Sequence, residues 1–320
     1  MKAVSDIIGE ELKIFESKFS DAVKSQTPLL DTIMKYIIKR KGKQLRPMFV
    51  FLSAKLHGQI NDSTYRAAAL VEMLHTATLV HDDVVDESPE RRGFFSVNAV
   101  WKNKIAVLVG DYLLSKGLLL SVNNNDFEHL RILSEAVRQM SEGELLQIEK
   151  TRKLNITESV YFEIIKNKTA SLLSSACAVG AYSTSQDNSI CEEMKIFGEL
   201  TGIAFQIKDD LFDYGNEKIG KPTGNDIKEK KMTLPLIYTL NNTDRKTMKK
   251  IIYIVKNNNR DKKKVQWVID TVTESGGINY AQQKMTEYRD EAIKILDRYP
   301  PSGAGTALRE LVCFTTDRKF

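Results

Sequence analysis

The sequence predicts an all-α protein, and three observations carry that reading. Lys, Leu, Ile and Glu are the commonest of the 320 residues, and apolar positions recur mostly at three- and four-residue steps. Seven Pro and 17 Gly are few for this length, so little interrupts the helical pattern. No Pro/Gly/Ser-rich linker divides the chain, and residues 1–320 read as one domain, long enough to bury a sizeable core.

Residues 4–24 and 28–40 each read as an amphipathic helix. The turn Lys41-Gly42-Lys43-Gln44-Leu45-Arg46-Pro47 follows, with Pro47 suited to the first turn of the next helix. Lys43 and Arg46 would flank that helix N-terminus, a natural anion site, although a basic turn alone is more often just solvated. From about Asn61 to Asp86 the pattern is apolar nearly all round between Ala67 and Val80, as in a buried helix. Inside it Glu72, His75, Thr76 and Thr78 need polar partners or a wet cavity. Helices are expected from Asn103 to about Val122 and from Phe127 to Lys150. On the second, Glu142, Glu144 and Glu149 read as a solvated face, and Gln147 fits either that face or a site. Residues 158–184 contain a break at Lys166-Asn167-Lys168-Thr169-Ala170, where Lys168 and Thr169 could meet phosphate. Ile190, Met194, Phe197, Leu200, Ala204, Ile207 and Leu211 form a strong helical stripe that delivers Gln206. Loops at 220–226 and 230–235 carry Lys221 and Lys231 and read as lids. Residues 244–320 read as three helices with a break at Tyr299-Pro300-Pro301.

The chemistry concentrates at the end of the buried helix. Asp82, Asp83 and Asp86 crowd one turn, with a turn expected at Ser88-Pro89 and Arg91-Arg92 just beyond. Carboxylates repel one another, so a helix gathers three only for a reason, usually a hard divalent cation. Mg2+ takes one or two carboxylates and keeps positions for water and phosphate. Arg91 and Arg92 are forked donors suited to phosphate oxygens. A lone Asp-Asp-x-x-Asp is more often a solvated helix end, but Asp209, Asp210 and Asp213 repeat the spacing 127 positions later. Two such triads can face each other across a cavity and hold metal between them. His75, seven residues before Asp82, points roughly the same way.

Charge and cysteines narrow the remaining classes. The formal charge of +5 is mild and lies largely between Arg245 and Lys264, weak grounds for nucleic-acid binding. Cys177, Cys191 and Cys313 have no ligand-like spacing and fit buried thiols in a reducing, cytoplasmic setting. The N-terminus turns acidic too early for a signal peptide. The longest uncharged run, Thr169–Gln186, holds too little bulk to span a bilayer, so no transmembrane segment is expected.

Together these motifs resemble the trans-polyprenyl diphosphate synthases, most closely the long-chain, octaprenyl-type members, over roughly residues 30–240. The resemblance implies an all-helical bundle of isoprenoid-synthase type around a deep central cavity, usually a homodimer, with both Asp triads at the cavity mouth. It implies Mg2+, three ions per active site with substrate bound, ligated by Asp82 and Asp86, with Asp83 in support, and by Asp209, Asp210 and Asp213. Lys43, Arg46, His75 and Arg92 match positions that bind isopentenyl diphosphate. Arg91, Lys168, Thr169, Gln206, Lys221 and Lys231 match those around the allylic prenyl diphosphate. The family's Gly-Gly-Lys-Arg turn is here Lys41-Gly42-Lys43-Gln44, and Lys230 stands where a Gly often precedes the lysine aligned with Lys231.

The implied reaction is ionisation of the allylic diphosphate, attack by the isopentenyl double bond and loss of a proton, in a site closed to water. Ala77 and Thr78, one turn before the first triad, are small where short-chain relatives tend to carry a plugging aromatic, which leaves room for a long product. Ala77 could instead simply pack against a neighbouring helix, or a plug could lie deeper, at Leu113, Leu114 and Leu118. The other readings are a short-chain synthase, a terpene cyclase, a non-catalytic synthase subunit and a nucleic-acid-binding protein. The intact second triad and the basic turn argue against a cyclase, and the absence of any eroded motif argues against a silent subunit.

Overall fold

The computed structural model describes residues 1–40, 42–91, 93–154, 156–215 and 224–317. They are helical almost throughout, as the apolar spacing predicts. In order the helices are α1 (Lys2–Ala22), α2 (Pro28–Lys39), α3 (Leu45–His57), α4 (Asp62–Val85), α5 (Val97–Asn123), α6 (Phe127–Lys153), α7 (Glu158–Ile165), α8 (Ser171–Ser185), α9 (Asn188–Phe212), α10 (Asn225–Lys228), α11 (Leu234–Asn241), α12 (Arg245–Asn257), α13 (Lys262–Glu274), α14 (Gly277–Leu296) and α15 (Gly303–Asp317). A π-helical turn, Lys166–Ala170, joins α7 to α8 at the expected break. A two-residue antiparallel ribbon, β1 (Glu90–Arg91) and β2 (Phe94–Phe95), sits where only a turn and a loop were expected.

Two other elements differ from expectation. Four helices, not three, follow residue 244, because Asp261 caps a fresh helix by accepting from the Lys263 and Lys264 N–H groups. Helix α5 starts at Val97, capped by Ser96, and breaks at Lys102, whose φ is 75°; the run expected from Asn103 begins just past that break.

The chain falls into two compact units. Unit 1 comprises Met1–Val137, Ser175–Lys195 and Pro301–Glu310. Its core contains Phe15, Phe49, Phe51, Leu52, Leu70, Met73 and Leu113, all fully buried. Each contributes roughly 1.5–3 kcal/mol of apolar burial. Phe51 lies edge-on to Phe15 and Tyr65. Helix α4 starts with a capping box between Asn61 and Thr64 and packs along α5. Gly117 of α5 makes that packing possible, since a Cβ there would stand 2.8 Å from Leu70 Cδ1.

Unit 2 comprises Arg138–Ser174, Ile196–Pro300 and Leu311–Phe320. Its core joins Tyr161, Ile164 and Ile165 of α7, Ile203 and Ile207 of α9, Leu236 and Ile237 of α11, Ile251 and Ile254 of α12, and Val268 and Val272 of α13. Cys177 and Cys191 are buried, as expected, and Cys313 is half-buried.

Close backbone approach also fixes α8 in unit 1. A Cβ on Gly180 would lie 2.3 Å from the Val50 carbonyl oxygen, and a main-chain group cannot swing aside. Gly180→Ala should therefore lower the unfolding free energy by about 1–3 kcal/mol, read from urea denaturation. An unchanged midpoint would refute that packing.

Candidate active site

The first Asp triad stands at the end of α4, in unit 1. The helix stops because Glu87 takes a left-handed conformation, φ 49°. Ser88 N–H then bonds to the Asp83 carbonyl at 3.0 Å and Glu87 N–H to Val84 at 3.3 Å, a Schellman ending. Asn98 Nδ2 donates to the same Asp83 carbonyl. The three carboxylates then diverge. Asp82 is half-buried and Asp86 exposed, whereas Asp83 is 3% exposed. Arg91 Nε donates to both Asp83 oxygens, at 2.8 and 2.9 Å, and its Nη2 lies 2.7 Å from Oδ1. Asp83 thus turns inward and holds the β1 arginine. Arg92 lies outside the described residues.

The basic turn is assembled in the same unit. Gln44 adopts a left-handed conformation, φ 52°, ahead of α3. Arg46 Nη1 meets His75 Nε2 at 2.9 Å, with His75 only 8% exposed. Lys43 is exposed. A cavity of about 100 Å³ is lined by Gln44, His75, Asp83 and Arg91 together with Tyr36, Leu79 and other apolar side chains. The Arg40 guanidinium on its wall lies 3.4 Å from the centre of the Tyr36 ring. Tyr36 Oη in turn donates to the Phe95 carbonyl, tying α2 to the ribbon that carries Arg91. Ala77 is fully buried and Thr78 half-buried, its hydroxyl donating to the His75 carbonyl. Of the deeper leucines, Leu113 is buried, but Leu118 is 47% exposed on the outer side of α5 and forms no part of an internal plug.

The second triad, at the end of α9, belongs to unit 2. Asp210 is 1% exposed and accepts from Tyr161 Oη at 2.8 Å, Gln206 Nε2 at 2.9 Å and Lys231 Nζ at 2.9 Å. Thr169 donates to Gln206 Oε1, so Thr169, Gln206, Asp210 and Lys231 form one chain of contacts. Asp213 accepts from the Asn225 and Asp226 N–H groups and anchors the start of α10. Asp209 is half-buried. Burial pushes the Asp226 carboxyl up to about 7 despite Lys231 beside it. Burial works against the Lys231 ammonium, but Asp210 and Asp226 prevail and hold it above its usual value. Lys221 lies outside the described residues.

Lys168 and Thr169 ride on the π turn, which two glycines allow to be gripped tightly. A Cβ on Gly143 would lie 2.8 Å from Lys168 N, and one on Gly202 would lie 2.6 Å from Ala170 Cα. The Lys168 ammonium pairs with Glu144 of α6. Glu144 is therefore engaged with the π turn instead of lying on a solvated face, and Gln147 donates to it at 3.4 Å. Tyr161 and Glu144 are the two residues that sequence reasoning missed. Glu144 sits three residues before Gln147 on the same face, a signal that was available; Tyr161 had none.

Each triad, taken by itself, offers carboxylates of the kind a divalent cation uses. Among the described residues no group of three His, Cys, Asp or Glu side chains is gathered closely enough to hold an ion. Mg2+ asks less, needing one or two carboxylates and leaving the rest of its shell to water and phosphate. Asp82 and Asp86, one turn apart at a helix end, fit that demand, as does Asp209. Asp210 and Asp213 accept from protein donors at the end of the same helix, Asp210 from Tyr161, Gln206 and Lys231 and Asp213 from two N–H groups of α10.

An all-α prenyltransferase is the class that this fold and these residues define. A family model for polyprenyl synthetase matches residues 27–272. The chain is 34% identical to the all-trans-nonaprenyl-diphosphate synthase (geranyl-diphosphate specific) of Rhodobacter capsulatus, over 97% of this chain and 96% of that one. It is 30% identical to the octaprenyl diphosphate synthase of Escherichia coli (strain K12), over 99% of both. A decaprenyl diphosphate synthase structure from Rhodobacter capsulatus superposes with TM-score 0.93 at 32% identity, covering 98% of each chain. A geranylgeranyl pyrophosphate synthase from Bacteroides thetaiotaomicron does so with TM-score 0.84 at 36% identity, covering 99% of this chain and 100% of that one. The chain belongs to the polyprenyl synthetase family.

Arg91→Ala should leave Asp83 buried without its cation and lower the unfolding free energy by about 1–3 kcal/mol, partial exposure of the arginine moderating the loss. In an Asp83→Asn background the same change should cost less than half as much. Urea unfolding of the four proteins measures this, and strictly additive losses would count against the pairing.

Proposed function

We propose that this chain condenses isopentenyl diphosphate head-to-tail with an allylic prenyl diphosphate and repeats the step to give a long-chain all-trans polyprenyl diphosphate, octaprenyl-type favoured. The observation that carries the reading is the family match over residues 27–272 together with both Asp triads standing intact at helix ends. The long-chain relatives named above support the product class, as does Ala77, a small and fully buried residue at the position expected to govern length. The two compact units are read as one catalytic domain, since α6, α8, α9 and α15 each run through a unit boundary.

Asp82 and Asp86, with Asp209 in a second group, would hold Mg2+, which when bound neutralises the allylic diphosphate as it departs. Arg46 and His75, joined at 2.9 Å, orient isopentenyl diphosphate with Lys43. Lys168, Thr169, Gln206 and Lys231 receive the allylic diphosphate. Glu144 and Asp210 fix where the two lysine charges sit. The allylic C–O bond breaks, the isopentenyl double bond attacks the resulting cation, and a proton passes to the released diphosphate. Apolar walls keep water from the cation.

A homodimer is supported by an apolar stripe on the outer side of α5, comprising Val100, Val107, Leu108, Leu118, Leu119 and Val122, each more than 40% exposed. Among the described residues α5 is also the one helix long and apolar enough to cross a membrane. Asp111, 61% exposed in the same stretch, favours a protein partner over lipid. The buried thiols of Cys177 and Cys191 fit a reducing, cytoplasmic setting.

Purified protein given Mg2+, isopentenyl diphosphate and farnesyl or geranyl diphosphate should yield long-chain product by chromatography; a cyclised terpene or no incorporation would overturn the reading. Asp82→Asn and Asp209→Asn should each lower kcat by about 10²–10³, by analogy with loss of one transition-state donor. Full turnover in either variant would exclude that carboxylate from the metal group. Ala77→Phe should shorten the product with the enzyme still active, and an unchanged chain length would reject the tunnel placement.

A further inference from the structure

Electrostatic bookkeeping singles out one segment that the reaction does not use. Residues 244–264, the last residue before α12 through the first turn of α13, carry nine basic residues against Asp244 and Asp261, a local net charge of +7. The remaining residues hold 38 basic against 40 acidic, a net of −2. The whole positive excess of the chain therefore lies on one helical hairpin of unit 2.

The two acids do little to offset it outward. Asp244 accepts from the Lys246 and Thr247 N–H groups, and Asp261 from those of Lys263 and Lys264, so both are spent on helix N-termini. Arg245, Lys246, Lys249, Lys250, Lys256, Arg260 and Lys262–Lys264 are all exposed. Helix α12 is sharply two-sided. Ile251, Ile254 and Val255 are buried, while Lys246, Lys249, Tyr253 and Lys256 recur at three- and four-residue steps on the opposite side. Tyr253, 59% exposed, is a large aromatic in the middle of this lysine row. Lys250 packs 3.6 Å from the centre of the Trp267 ring, fastening α12 to α13.

A row of lysines around an exposed tyrosine matches an anionic lipid surface, where cations meet headgroups and an amphipathic ring settles at the interface. Nucleic acid would satisfy the charge but gives Tyr253 no role unless bases are unstacked. We propose that the α12–α13 hairpin docks this protein on anionic membranes. This rests on the proposed activity in one respect, that a long polyprenyl diphosphate is an amphiphile whose apolar chain must be taken up by a bilayer.

The test is vesicle flotation of the full-length protein. Neutral phosphatidylcholine vesicles are compared with vesicles in which roughly a third of the lipid is phosphatidylglycerol. Binding is expected to the anionic vesicles only, and to fall as salt is raised. The triple variant Lys246→Glu, Lys249→Glu, Lys256→Glu should lose at least about tenfold in bound fraction. Tyr253→Ser should weaken binding at high salt, where the cations are screened. Both variants should keep wild-type turnover on soluble substrates and wild-type thermal unfolding, since none of these residues touches the site. No binding to anionic vesicles, equal binding to both compositions, or tighter salt-dependent binding to single-stranded DNA than to vesicles would each overturn the proposal. Absence of turnover in the wild type would instead overturn the proposed activity and leave the vesicle result to be read separately.

Discussion

A buried carboxylate must have a cation, and this requirement shapes both acidic clusters. In each triad the middle aspartate turns inward, Asp83 to Arg91 and Asp210 to Lys231. Both are nearly inaccessible to water, so an unpaired charge there would be costly to the fold. The cation arrives from beyond the helix end in each case, eight residues on for the first and twenty-one for the second. The pairing therefore does two things at once. It lets a helix end carry three acids, and it pins the following segment in place. Asp82 and Asp209, by contrast, stay half-buried and Asp86 exposed, at the edge of the packed core.

The rest of the machinery is held by comparably short links. Arg46 leans on His75, Lys168 on Glu144, and Thr169 reaches Asp210 through Gln206. Each link sets a donor beside an acceptor that fixes its direction. Preorganised charge of this kind does its work without reorienting during the reaction, which is where enzymes gain most over water. The Tyr36 hydroxyl on Phe95 and the Arg40 guanidinium over Tyr36 extend the same logic to the ribbon carrying Arg91.

Much of this was legible in the sequence because helices announce themselves by periodicity. The stripe from Ile190 to Leu211, the all-round apolar run through Ala67–Val80 and the break at Lys166–Ala170 all correspond to observed elements. The place of Lys43 and Arg46 beside the start of α3 was legible too, from the basic turn ahead of Pro47, but the contact of Arg46 with His75 was not. What escaped depends on tertiary neighbours. Glu144 looks like any surface glutamate until the π turn brings Lys168 against it. Tyr161 looks like any core aromatic until Asp210 needs a donor. The extra C-terminal helix was hidden because Asn258 and Asp261 end one helix and start the next without a proline. The outward orientation of Leu118 could not be read from a helix that is apolar on several sides.

The π turn has a consequence of its own. A single surplus residue in a helix rotates everything after it by about 100° relative to an unbroken α-helix. The backbone at Lys166–Ala170 thus acts as a gear between α7, whose Tyr161 and Ile165 face the unit 2 core, and the small-residue helix that follows. A chain one residue shorter here would carry that helix turned by about 100°, presenting a different face to its neighbours.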